Sequence, residues 1–517
     1  MTEPSAAFVA WGREQAVPLN ADADLGDFSD LMPLKSVIGD ARLVGHGESH
    51  HYTREFNRFR FRLFRFLVAE MGFTTFALEV GFVEAKVAHD YVAGRHDDAD
   101  AAFISVNQTF GLYAHQQEML TWMRDYNRDQ TGDRKLAFYG MDGSQEWTHA
   151  GAAVAATCDY LDDVDAAFAS DMRSDVLPLA LEVTTSTLDQ TSTEALHTLI
   201  HGLTRLVGRL ESEQVSYIDL STSESFDWAL AFAVMAQQIG TVLVEMRACP
   251  DQAWRAWNNI RDFNMARQLR WIAQRQPSGG GVLFGLHNYH LQACSSYEGG
   301  VPISTMGQYL KQAVPESDLV LIAGQNNVSL KPGDVAMPDS NPGHLARMGL
   351  PSFLLDLRPL GDAPEALAWP RERRPERLNT IYFPVALAEA YDAIHYTESL
   401  TLDELRLPAQ LMKETLAQDV STLDGLVGTY LFHGISNEPE DVFVMRQGDR
   451  LFTDVGERNG EMFPLYRSEL FAVSPTVYRW KEWPAELTFE RDKDGVVRTA
   501  TVHLLTTRYT RYGSKVG

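Results

Sequence analysis

The stretch Arg42-Leu-Val-Gly-His-Gly-Glu-Ser-His-His-Tyr-Thr-Arg-Glu-Phe56 constrains the fold more than any other. Leu43-Val44 is a short apolar run closed by Gly45-His46-Gly47, and from Thr53 onward the apolar residues recur at helical spacing. Such a strand, turn and helix place Glu48 and His51 at the carboxyl end of a strand, where open α/β sheets bind their ligands. The plan recurs. Thr74-Thr-Phe-Ala-Leu78 ends at Glu79, Lys135-Leu-Ala-Phe-Tyr139 leads to Gly140-Met-Asp142, and Gly281-Val-Leu-Phe-Gly-Leu286 leads to His287-Asn-Tyr-His290. Parallel strands need helical crossovers, so repeated strand and helix units predict a mostly parallel sheet flanked by helices. Further β-type runs fall at Leu319-Val-Leu-Ile-Ala323 and Phe353-Leu-Leu355.

Between the strands, Phe56, Phe59, Leu63, Phe66 and Leu67 share one helical face, with Arg54, Arg58, Arg62 and Arg65 on another. Residues 151–276, rich in Ala, Leu, Glu and Gln, read as a helical insertion or cap. Beyond 405 the pattern becomes short β runs punctuated by Gly448-Asp449, Asn459-Gly460 and Asp494-Gly495, which predict hairpins in a small antiparallel sheet or barrel. The expected fold class is therefore α/β with a C-terminal β unit. Residues 1–405 form the α/β domain and 406–517 the smaller one, whose opening Leu423-Asp-Gly-Leu-Val-Gly-Thr-Tyr430 resembles small lipocalin-like domains. At 517 residues the chain exceeds what one core usually supports.

A formal net charge of −25 speaks against tight binding to nucleic acid or to anionic membrane, and for a small neutral or cationic partner. Cys158, Cys249 and Cys294 are scattered and odd in number, suggesting neither a disulfide framework nor a zinc knuckle. The N-terminus lacks the basic start of a secretory signal, and no uninterrupted apolar run approaches the roughly 20 residues of a bilayer-spanning helix. The expectation is a soluble cytoplasmic protein whose oligomeric state the sequence does not fix.

One helix plus one strand separate His51 from Glu79, and the same crossover rule applied to Asp142 and His287 converges four strand ends on one crevice. Taken singly, each residue also has a plainer role. Glu48 could serve a helix N-terminus, Glu79 a structural ion pair, Asp142 a turn, and His46 and His50 an outer layer or the surface. Together they suit water activation, because a carboxylate-oriented histidine is a general base near neutral pH. The same residue types also bind zinc or manganese. A serine nucleophile is disfavoured by the absence of any G-x-S-x-G elbow. Phe110, Tyr113, Trp228 and Tyr289 are candidates to line an apolar cleft.

Gly47 to Phe56, Gly72 to Glu79, Arg261-Asp-Phe-Asn-Met-Ala266 and His287 to His290 together resemble the erythromycin esterase family, some of whose members are labelled succinoglycan biosynthesis proteins. The resemblance spans roughly residues 30 to 400. It implies a carboxylic-ester hydrolase that, in the family's antibiotic-resistance members, opens macrolide lactones with histidine-activated water and without an acyl-enzyme or cofactor. It also implies His51 as general base, Glu48 as its acidic companion, and Glu79, His287 and His290 as the rest of the crevice. Arg60 falls at the family's active-site arginine, a candidate for the carbonyl or oxyanion. Which of His50 and His51 fills the motif position is left open, as are a divalent-metal hydrolase and a non-catalytic envelope-polysaccharide binder.

Overall fold

Leu43–Glu48 is buried at all six positions, which requires a strand covered on both faces. In the computed structural model this strand lies near the middle of an eight-stranded sheet. Described are residues 3–106, 110–143, 147–276, 279–298, 301–331, 333–379, 381–416, 420–433, 439–455, 467–505 and 510–516. The sheet's strands, in chain order, are β1 (Val17–Pro18), β2 (Leu43–Glu48), β3 (Thr75–Gly81), β4 (Ala137–Asp142), β5 (Val282–His287), β6 (Leu319–Val328), β7 (Ser352–Asp356) and β8 (Ala393–Ser399). Their spatial order is β1-β7-β8-β6-β2-β5-β3-β4.

Six consecutive strands, β8 to β4, run parallel, and β7 runs antiparallel to β8, with the short β1 outside it. The mostly parallel sheet predicted from the repeated units is thus present. The crossover from β2 does not set β3 beside it, however; β5 lies between them. Glu48, His287, Glu79 and Asp142 therefore stand on four adjoining strands, with Glu48 opposite His287 in register. The register of β3 against β4 shifts between Leu78 and Gly81. A bulge of this kind re-aims a side chain, here Glu79.

The helix Arg54–Met71 follows β2 and ends where Gly72 takes a left-handed conformation, φ 73°. Its buried surface is wider than the apolar stripe predicted, because Arg60 and Arg62 are also enclosed. Arg62 is satisfied by Asp30 and the Asp27 carbonyl. Arg60 lies against Gly285 of β5, where an added Cβ would come within 2.7 Å of the arginine Cδ and Nε. That glycine makes room for a guanidinium beneath the crevice.

Residues 151–273 are helical, as expected, but they do more than cap the sheet. Leu199, Leu203, Ile239 and Leu269 belong to the same apolar core as Ala77, Phe284 and Leu321 of the sheet. The helix Ser223–Ala248 is long and apolar enough to cross a membrane by length and composition, though without an uninterrupted apolar run, and 61% of its apolar window is buried inside the protein. Beyond the sheet, eight antiparallel strands between Gly428 and Val516 form a closed barrel, sealed by pairing of Thr429 with Val516. The barrel has its own core, including Tyr430, Trp480, Leu487 and Phe489. Gly448 and Gly495 sit at hairpin turns as predicted, and Asn459-Gly460 lies outside the described residues.

Candidate active site

Glu48 is the last residue of β2 and is 1% exposed, so its charge needs partners on both oxygens. His51 Nδ1 lies 2.6 Å from Oε1, and Arg60 Nη2 donates to Oε2 at 2.7 Å. Burial would raise the Glu48 pKa, but Arg60 and His51 outweigh it and hold the group below its ordinary value. An ionised Glu48 fixes the proton of His51 on Nδ1 and leaves Nε2 as a lone pair. The His51 side chain is 23% exposed, so that lone pair can meet a water or a substrate. His50 turns the other way, donating from Nδ1 to the His51 carbonyl, and burial drives its pKa down to about 4. Of the two adjacent imidazoles, only His51 is oriented by a carboxylate.

Arg60 is fully enclosed and reaches the crevice only through Glu48 and the His46 carbonyl. This position differs from the carbonyl-facing placement that the resemblance implies. His46 is likewise internal, 3.1 Å from His395 through ring nitrogens.

The His287 ring lies 4.8 Å from that of His51, between centroids. Its Nε2 is 3.3 Å from the Ser49 carbonyl, and its backbone N–H donates to Glu79 Oε2 at 2.7 Å. Burial, with His51 and His290 nearby, holds the His287 pKa well below the ordinary value, so the ring is neutral. The other oxygen of Glu79 accepts from Arg261 Nη2 at 2.8 Å. Arg261 also donates to Asp142 Oδ2 at 2.6 Å and to His290 Nε2 at 3.0 Å. His290 Nδ1 lies 2.7 Å from Asp262 Oδ1, whose other oxygen accepts the Met306 N–H. Burial pulls the His290 pKa down, but Asp262 outweighs it and the net direction is up. Burial raises Asp262 itself, against the pull of His290 and Arg261. Asp142 is closed off by Trp147 Nε1 and the Gly143 N–H as well as Arg261.

Arg261 and Asp262 went unassigned from sequence although they begin one of the stretches carrying the resemblance. Both lie on the helix Ala253–Ala273, the last of the helical layer. Charge balance was the available signal: Glu79 and Asp142 both end apolar strands, and two buried carboxylates call for a cation. Among the aromatics, Phe110 meets His51 edge-on at 5.2 Å, Tyr113 stacks on Tyr52, and Tyr289 contacts His290. Trp228 is elsewhere, packed with Phe82 and Tyr139 inside the helical layer. Tyr52, Trp147 and Asn379, the non-glycine residues with positive φ among the described residues, all touch this region. Asn379 does so by donating its N–H to the Ser49 carbonyl. Backbone strain of this sort gathers at functional sites.

The sequence profile described as Erythromycin esterase matches residues 68–400, well over half of the chain. The chain belongs to the erythromycin esterase family. Among relatives of this family, the erythromycin esterase type II of Escherichia coli is 24% identical over 327 residues, covering 61% of this chain and 76% of that protein. A Bacillus cereus protein of solved structure superposes with TM-score 0.67 at 20% identity, covering 78% of this chain and 99% of that one. A succinoglycan biosynthesis protein superposes with TM-score 0.64 at 22% identity, covering 78% and 99%. At these identities the structural likenesses establish the erythromycin esterase fold. The profile begins downstream of Glu48, His51 and Arg60, so their grouping with Glu79, His287 and His290 stands on the geometry above.

Among the described residues no group of three or more His, Cys, Asp or Glu side chains is placed to hold a metal ion. The local chemistry explains this. Arg261 occupies the space between Glu79 and Asp142, and Arg60 takes one oxygen of Glu48, so guanidinium charge stands where a divalent cation would compete.

Proposed function

We propose that this esterase-family protein hydrolyses a carboxylic ester or lactone with water activated by His51. The observation carrying this reading is the 2.6 Å contact between His51 Nδ1 and Glu48 Oε1, on a partly exposed ring that lies beside His287. Nε2 removes a proton from water as it attacks the carbonyl, and the imidazolium so formed is stabilised by the ionised Glu48. Arg60 positions Glu48 from beneath and does not meet the substrate.

Across the crevice, Arg261, held by His290 and its carboxylate partners, supplies the positive side for charge developing on the carbonyl oxygen. Glu79 binds both Arg261 and the His287 N–H, and so ties that side to the strand facing His51. The His51 imidazolium returns the proton to the leaving alkoxide as the tetrahedral intermediate collapses. Phe110, Tyr113 and Tyr289 offer apolar walls around these polar groups, the usual composition of a small-molecule cleft. The names of the relatives suggest macrolide lactones as one substrate class, and simple esters are the other.

Purified protein is incubated with a panel of macrolides, smaller lactones and simple esters, and products are read by mass spectrometry. The reading expects a product one water heavier than its substrate, formed by the wild type after treatment with a chelator and absent with His51→Ala. Full activity of His51→Ala, or activity abolished by the chelator and restored by zinc or manganese, overturns it.

A further inference from the structure

A second cavity of about 250 Å³ opens at the same end of the sheet, beside β7 and β8. It shares no residue with the Glu48–His51 crevice. His395 of β8 forms part of its floor and is 3% exposed. The ring stacks on Phe59 at 3.7 Å between centroids, and Nδ1 is 3.1 Å from His46 Nε2.

The proton in this pair can be located. His46 Nδ1 is buried without a hydrogen-bond partner. An N–H there would be an orphaned buried donor, which proteins avoid more strictly than a bare lone pair. His46 therefore carries its proton on Nε2 and donates to His395 Nδ1. Burial keeps both rings neutral, with His395 held down to about 3. His395 then carries its own proton on Nε2. That nitrogen has no hydrogen bond among the described residues and is left facing the cavity as a donor.

Arg58 donates to the carbonyls of Ala21 and Ala23 and has no carboxylate partner, and Arg54 has no side-chain partner among the described residues. The wall carboxylates keep their charge and are held by neutral donors, Glu55 by the Thr401 N–H and hydroxyl and Glu398 by Asn327 and Tyr396. Asp22 stands exposed at the rim. Guanidinium groups with no ion-pair partner among the described residues, above a buried N–H donor and beside the Phe59 ring, match a carboxylate on a small apolar body.

We propose that this cavity is a second ligand site, separate from the esterase crevice, that takes small carboxylic acids. The carboxylate accepts from His395 Nε2 and from Arg54 or Arg58, and the apolar body lies against Phe59. The site is one hydrogen bond from His46, whose carbonyl holds the arginine that positions Glu48.

Benzoate is titrated into the full-length protein by calorimetry, with benzylamine and inorganic phosphate as controls. Saturable benzoate binding is expected, with benzylamine and phosphate weaker by about tenfold or more, the worth of a charge-assisted hydrogen bond. Arg54→Glu, a surface change that leaves the core intact, and His395→Phe should each weaken benzoate by at least about tenfold. Asp22→Asn should tighten it, and His51→Ala should leave it unchanged. Absence of saturable binding, an unchanged affinity in Arg54→Glu, phosphate binding as tight as benzoate, or loss of binding in His51→Ala overturns the proposal.

Discussion

At the residue scale, the proposed site divides the labour between two guanidinium groups that sequence alone could not tell apart. Arg60 neutralises Glu48 from inside, and Arg261 gathers Glu79, Asp142 and His290 at the crevice. Glu48→Gln keeps the shape but removes the charge that stabilises an imidazolium. It should lower kcat by about a hundredfold or more while KM changes little, which steady-state kinetics on any accepted ester reads directly. Arg261→Met leaves two buried carboxylates without their cation. Its expected signature is a stability loss on the order of 3 to 5 kcal/mol in denaturant unfolding, in addition to lost activity. The His51 and Glu48 pairing was readable in the sequence because the two residues are three apart at one strand end. The Arg261 pairing was not, because its partners lie on three other elements and are brought together only by the sheet order.

At the element scale, β5 and the hairpin formed by Arg373–Leu378 and Ile381–Ala386 shape the site, and β5 also carries His287 into it. Gly285→Ala would push a Cβ into Arg60 and through it into Glu48. A stability loss of about 1 to 3 kcal/mol is expected, with a fall in kcat although no titrating group is altered. In the hairpin, Glu376 is wholly buried with the Tyr391 hydroxyl and the Asn341 amide. Burial raises its pKa from 4.5 to about 7. Between those values the folded chain holds a proton that the unfolded chain has released. The group's contribution to stability is therefore full below about pH 4.5 and is lost as pH rises through 7. Thermal unfolding of Glu376→Gln should accordingly show a flatter pH dependence across this window and a higher Tm than wild type at pH 8. A steeper profile would contradict the assignment.

The repeated strand and acid units announced β2 to β5, since each is an apolar run with a glycine and a polar terminus. β8 escaped notice because Ala393-Ile-His-Tyr-Thr397 mixes polar and apolar residues, although all five are buried between neighbouring strands. The polar members find partners there: His395 with His46, and Tyr396 with Glu398. Position β5 between β2 and β3 could not be read from loop lengths, because the long helical layer that precedes β5 allows it to return anywhere in the sheet.

At the scale of the whole molecule, the apolar core of the barrel is separate from the cores that cover the sheet. We propose that residues 406–517 form a domain of their own, joined through the segment that carries Leu402 and Leu411. Calorimetry should then resolve two unfolding transitions. Glu486→Ala, which removes the partner of Lys413 and Arg479, should lower only the one assigned to the barrel. A single transition moved as a whole would refute this division. The chain's excess of acidic residues leaves the crevice itself balanced, because its carboxylates are met by Arg60, Arg261 and imidazoles. What remains uncommitted is the outer nitrogen of His51, and its role is open to a direct test. Wild type and His51→Ala are compared, side by side, on one lactone that the wild type converts, by the rate at which the water-added product appears in the mass spectrum. The account predicts a rate lower by about three orders of magnitude or more in the variant, with no substrate-derived mass on either protein. Equal rates, or an acyl group accumulating on the wild-type chain, would contradict it.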